Sequence, residues 1–289
     1  MPYVWFVFIG LVWGSSFLLM KRGTVWFSPV EVAAWRVIGG ALLLALVWWR
    51  TGRRWTLSRR DIPAMAVVVA CGFAWPFSIQ PYLVGRAGSG FIGMMVSFTP
   101  LLTIGVSIVL LRIYPTRRQL VGVLAALGCL GLLIFDGASR HVGPVDLALA
   151  LTVPLCYAIT NTLIRKTLTH VPSLELSLAS LSAAGVFLLS IVLVVPVERP
   201  QVAGREAEVA IASVVFLGFV GTGVATYLFN KLVQEQGPLF AGMVTNVVPI
   251  GALVLAWLDS EHVTLRQLAA LAGLLAAVTI VQFGAVRKT

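Results

Sequence analysis

The chain has 289 residues, of which 59% are hydrophobic and only 11% charged, with a formal net charge of +10. Ordinary soluble domains carry roughly 25% charged residues, so this composition cannot supply a polar coat and excludes a globular protein in water. The basic excess sits in short clusters between apolar runs, not on an aromatic-interleaved face, which argues against nucleic acid as a partner.

A bilayer core about 30 Å thick needs roughly 20 apolar residues per helix, which leaves room for about ten crossings with short loops. The apolar runs fall at 3–20, 30–49, 61–84, 88–111, 117–135, 144–164, 174–196, 208–230, 237–258 and 264–284. The first begins at Tyr3 without a basic leader or a small-residue cleavage site, and so reads as a retained helix. Ser28-Pro29-Val30-Glu31 opens the second with a capping box and a proline in the first turn. In the third, Trp75-Pro76-Phe77-Ser78-Ile79-Gln80-Pro81-Tyr82 loosens the helix near its outer end. An unpaired amide in hydrocarbon costs several kcal/mol, so Gln80 is expected to face the bundle or a wet cavity. Pro100 interrupts the fourth run and Pro249 the ninth. Thr116-Arg117-Arg118-Gln119 opens the fifth and Thr264-Leu265-Arg266-Gln267 the tenth, both as capping boxes. Cys71, Cys129 and Cys156 lie inside apolar runs without metal-ligand or paired spacing, and read as buried small hydrophobes.

The two halves of the sequence echo each other. Phe91 to Pro100 lies over Phe240 to Pro249 at a constant offset, Arg118-Gln119-Leu120 over Arg266-Gln267-Leu268, and, more weakly, Trp13 to Arg22 over Tyr157 to Lys166. Each unit holds five helices, an odd number, so the second must cross the membrane in the opposite sense. The predicted fold is therefore an all-α integral membrane protein of ten transmembrane helices, two inverted five-helix repeats spanning 1–140 and 141–289.

Orientation follows from the cations. With the N-terminus inside, the inner loops and tail carry Arg50, Arg53, Arg54, Arg59, Arg60, Arg112, Arg117, Arg118, Arg165, Lys166, Lys231, Arg287 and Lys288. The outer loops carry Lys21, Arg22, Arg86, Arg140, Arg199, Arg205 and Arg266. The positive-inside rule places both termini in the cytoplasm, with Lys21 and Arg22 counting against it.

These residues carry a resemblance. A Trp-Gly-Ser-Ser stretch in the first helix (Trp13, Gly14, Ser15, Ser16), the mid-helix Pro100 and the Arg-Gln-hydrophobic opening of the fifth helix are similar to EamA domains of the drug/metabolite transporter superfamily. The resemblance covers nearly the whole chain. It departs at Arg112, where many members have a glutamate; the second copy keeps one as Glu261. The resemblance implies a transporter of amino acids, nucleotide sugars, other metabolites or drugs. Size, organisation and tryptophan content look most similar to exporters of the YddG type, which implies outward movement of amino acids, aromatic ones included, across the inner cell membrane.

The expected cavity-lining residues are Trp13, Gln80, Tyr82, Ser97, Tyr157, Asn161, Tyr227 and Asn246, with Pro100 and Pro249 as hinges or kinks. Helix–helix hydrogen bonding and fixed structural kinks are the competing readings. Thr160, Thr226 and Asn230 are further deep polar groups. Arg36 reads first as a side chain snorkelling to the outer interface and second as an attractor of a substrate carboxylate. All eleven carboxylates and the three histidines fall in loops or end turns, so no group at the midplane can exchange a proton for substrate. This favours facilitated diffusion over proton antiport. The expected partners are the bilayer and a small-molecule substrate, with no cofactor or metal, and the expected state is a monomer. Another solute class is the alternative; a membrane-embedded enzyme is less well supported, since no H-E-x-x-H, G-x-S-x-G or paired-aspartate constellation occurs.

Overall fold

The computed structural model describes residues 2–52, 54–112, 114, 116–139, 142–195 and 202–283. Arg53, Arg140, His141, Arg199, Arg287 and Lys288 lie outside the described residues, as does the expected junction of the repeats at 140 and 141.

Ten helices run in chain order: α1 Pro2–Gly23, α2 Pro29–Thr51, α3 Arg59–Ala87, α4 Ser89–Leu111, α5 Arg117–Ser139, α6 Pro144–Thr167, α7 Ser173–Val194, α8 Arg205–Gln236, α9 Phe240–Leu258 and α10 Leu265–Phe283. Among the described residues, the first nine are long and apolar enough to cross a bilayer, and α10 contributes an apolar stretch over Leu265–Ala277. All three sequence-predicted capping boxes form. Ser28 N–H donates to Glu31 at 2.9 Å and Glu31 N–H to Ser28 Oγ at 3.2 Å. The same reciprocal pairs join Thr116 with Gln119 and Thr264 with Gln267.

α3 and α8 each contain a π-helical segment, Val68–Ala74 and Leu217–Val224, at corresponding places in the two repeats. A π turn closes on the fifth residue back: Trp75 N–H donates to Ala70 O and Ala225 N–H to Val220 O. α8 also continues through Gln234, whose amide donates to Leu168 O and Val171 O and so ties off the end of α6. The central prolines act differently in the two copies. α4 breaks at Ser97 and Phe98, where the N–H groups reach only three residues back, and restarts with Pro100 in its first turn. α9 loosens earlier, at Met243, and carries Pro249 within the continuing helix.

Helix pairing repeats with the chain halves exchanged. α1 packs on α9 as α6 packs on α4, α2 packs on α8 as α7 packs on α3, and α5 packs on α10. Glycine permits the tightest of these crossings. A Cβ on Gly14 would sit 3.1 Å from the Gly251 Cα, so α1 and α9 touch backbone to backbone.

Candidate functional site

Four helices present inward stripes at helical spacing. α1 offers Trp13, Ser16, Phe17 and Met20; α6 offers Tyr157, Thr160 and Asn161; α8 offers Thr226, Phe229 and Asn230; α3 offers Phe73, Phe77 and Gln80 beside Gly72. Arg36 of α2, Val96 of α4, and Thr245 and Val248 of α9 complete the lining. Together they enclose a cavity of about 70 Å³ between the two repeats, enough for several waters at roughly 10–15 Å³ each.

Most of the wall is fixed by contacts made behind it. Trp13 Nε1–H donates to Gly221 O at 3.0 Å, in the π segment of α8, and its ring lies 4.8 Å from that of Phe229. Asn230 Nδ2 donates to Ser177 Oγ at 2.8 Å. Thr160 Oγ1 and Asn161 Nδ2 are buried without a protein partner among the described residues.

Arg36 is 3% exposed and does not snorkel to an interface. Its Nε donates to Thr222 Oγ1 at 3.1 Å, one Nη approaches Met20 Sδ at 3.4 Å, and the guanidinium lies 3.9 Å over the Phe77 ring. No carboxylate among the described residues pairs with it. Among the described residues, the lining includes no Asp, Glu or His.

Of the sequence-predicted site residues, Trp13, Gln80, Tyr157 and Asn161 share this cavity. Ser97 and Asn246 are buried, each with an oxygen unpaired among the described residues, but do not line it. Tyr82 is 38% exposed, with its ring beside Arg86, and lies outside it. Tyr227 turns away from the cavity and packs against the apolar core. Pro100 and Pro249 shape α4 and α9 without facing the space. Sequence reasoning passed over Thr160, Thr226 and Asn230 in choosing lining residues, although helical spacing from Tyr157 reaches Thr160 and Asn161 together. Nothing in the sequence separates Phe73, Phe77 and Phe229 from the other core aromatics.

A second polar cluster closes one end of the bundle. Glu261, after α9, accepts Ser89 Oγ at 2.8 Å and the Ser89 and Gly90 N–H groups at the start of α4. Lys21, at the end of α1, bridges Glu261 at 2.8 Å and Asp259 at 2.6 Å, and Arg22 also pairs with Asp259. Burial alone would raise the Glu261 pKa, but the hydrogen bonds from Lys21, Ser89 and Gly90 outweigh it and hold the carboxyl below its ordinary value. At the corresponding end of the other repeat, Arg112 stands where Glu261 would be, and Arg165 and Lys166 stand where Lys21 and Arg22 are. Leu110 and Arg112, the residues that match Asp259 and Glu261, are therefore both non-acidic.

No curated protein is similar to this chain in sequence at a significant level. A solved crystal structure superposes with a TM-score of 0.72 over 99% of both chains at 17% identity, a likeness of fold alone. The sequence profile of the EamA-like transporter family matches residues 1–135 and again 146–283, one match to each five-helix repeat. With both halves matched and the two halves meeting at a shared internal cavity, the chain is a member of the EamA-like transporter family.

Proposed function

We propose that this protein exports small metabolites, amino acids including aromatic ones foremost, by alternating access through the cavity between its repeats and without proton coupling. The observation that supports this most is the composition of the wall. Six aromatic rings (Trp13, Phe17, Phe73, Phe77, Tyr157 and Phe229) surround a few neutral hydrogen-bonding groups and one cation. Such a wall suits an apolar body with a small polar head. A nucleotide sugar would bring more phosphate charge than one cation can meet, and a cationic drug would face Arg36 directly.

The same lining supports uniport, since among the described residues no carboxylate or imidazole lines it to release a proton when substrate arrives. Inverted repeats supply two related conformations in which opposite ends open. The bridged cluster at one end, whose Glu261 is replaced by Arg112 in the other repeat, supports conformations of unequal energy. Orientation follows the positive-inside rule, with both termini in the cytoplasm. Pairing of Lys21 and Arg22 with Asp259 and Glu261 removes the weight these two cations would carry against it. The path uses helices from both halves of one chain, which fits a monomer.

The test is uptake into liposomes containing the purified protein, with labelled aromatic, small neutral and charged amino acids, with and without a pH gradient. Flux independent of the gradient, and reduced by Tyr157→Ala and Asn161→Ala, is the expected result. Absence of flux for every amino acid, from folded protein, overturns the substrate class. Strict dependence on the gradient overturns uniport.

A further inference from the structure

Arg36 presents an energetic puzzle that the transport reading leaves open. A guanidinium removed from water costs several kcal/mol unless an anion and well-aimed hydrogen bonds compensate it. Here the side chain is 3% exposed, and its partners are a hydroxyl, a thioether and a ring face. Thr222 and Met20 take two of the five N–H donors a guanidinium owns, the second weakly. No described carboxylate pairs with it, and Tyr157 is the ionisable group that faces it across the cavity. The cation lines the cavity and lies at its aromatic wall. A buried fork of donors without its anion is a binding site for a planar oxyanion, which a guanidinium engages through two parallel hydrogen bonds.

We infer that Arg36 is the carboxylate clamp of the cavity, and that the substrates it selects are small monocarboxylates with an apolar or aromatic body, whether or not they carry an amino group. The inference rests on the transport reading for the cavity but makes a narrower claim. The carboxylate completes the guanidinium, and Phe73, Phe77 and Phe229 receive the apolar body. Among the described residues no negative charge lines the space to receive an ammonium group, so an amino acid brings its amine at some cost in desolvation. A deaminated acid of the same shape therefore binds at least as tightly as its parent. Amines lacking the carboxylate are excluded by repulsion from Arg36.

Binding of three probes that share one ring separates these cases: phenylalanine, 3-phenylpropionate and phenethylamine. Each is titrated into the purified full chain in lipid nanodiscs, with tryptophan fluorescence and thermal shift as readouts. The expected order is phenylpropionate equal to or tighter than phenylalanine, with no shift from phenethylamine. Arg36→Gln and Arg36→Met should weaken both carboxylates by at least about thirtyfold, the low end for losing one partner of a buried charge pair. Arg36→Lys should keep part of the affinity, because it retains charge but loses the fork. Without ligand, Arg36→Met should melt no lower than wild type, since it removes an uncompensated buried charge. A lower melting point in all three variants would make Arg36 a structural residue and overturn the clamp. So would phenethylamine binding as tightly as phenylpropionate, or carboxylate binding unchanged in Arg36→Gln. Carboxylate binding that depends on Arg36, with no amino-acid flux in liposomes, leaves the clamp standing and removes the amino-acid reading. Amino-acid flux untouched by Arg36→Gln does the reverse.

Discussion

Trp13 has two duties, and they are separable. Its ring faces the cavity while its indole N–H holds the Gly221 carbonyl of the π segment in α8. Trp13→Phe keeps an aromatic wall but strands that carbonyl, at a cost of about 1–3 kcal/mol for an unmet buried acceptor. A melting point lowered by several degrees, with substrate binding largely retained, is the expected outcome. Glu261 yields a pH prediction at the same scale. Its folded pKa lies below the ordinary carboxylate value, so its contribution is fully present above that value and is lost as pH falls through the depressed one. Melting curves of wild type and Glu261→Gln should differ at neutral pH and converge only below about pH 4. Trp13 and Tyr157 were legible in the sequence because the repeat lays one over the other. Tyr227 was not, because it sits one residue off the Thr226–Phe229–Asn230 stripe, and aromaticity outweighed helical phase in choosing it. Arg36 misled for a related reason. It stands about 10 Å along α2 at 1.5 Å per residue, close enough to an interface to suggest snorkelling, and only the surrounding helices reveal that the route out is filled.

At the scale of elements, caps and spans were readable because each has a local chemical cause. The capping boxes formed as spaced, and the apolar runs became helices with ends shifted by a few residues. The π segments were not readable. Prolines directed attention to Pro76, Pro81 and Pro100, whereas α8 contains a matching π segment with no proline in it. That segment coincides with a long-range crossing, where Gly218 and Gly223 let α8 come against Gly39 and Gly40 of α2. A second close crossing, α4 against α9, gives a sharper test. A Cβ added at Gly93 would overlap the Ala252 Cβ, a rigid helical atom with nowhere to retreat. Gly93→Ala should therefore destabilise the fold by about 1–3 kcal/mol, the range for overpacking a tight core, and slow flux together with it. Gly105→Ala, on the same helix with no neighbour within 4 Å, is the control expected to do neither.

At the scale of the molecule, the two repeats share pairing but not locks. One end joins three helix termini through Lys21, Asp259, Glu261 and Ser89. Its counterpart sets Arg112 on the same side of the ledger as Arg165 and Lys166. Arg112→Glu places an acid where the repeat relation calls for one and should build the missing lock. Transport should slow by about two- to fivefold if each cycle must then break a new exposed ionic contact of about 0.5–1 kcal/mol, and single-molecule distances across that end should shift toward the closed population. The charge asymmetry could be read from the aligned halves, since Glu261 and Arg112 occupy matching positions. Its geometry could not, because the bond from Ser89 to Glu261 spans most of the second repeat in sequence.

The lock also makes the carrier sensitive to the water on one side of it. Lys21 keeps 35% of its side chain in solvent, so the contact is open to screening. The Debye length falls from about 10 Å at 0.1 M salt to about 3 Å at 1 M. Impermeant salt added to the compartment that bathes Lys21 should loosen that end and speed its opening, while the same salt in the other compartment does not reach that contact. Vesicles of uniform orientation, assayed with salt first on one side and then on the other, would show a transporter whose cycle time depends on the brine it faces.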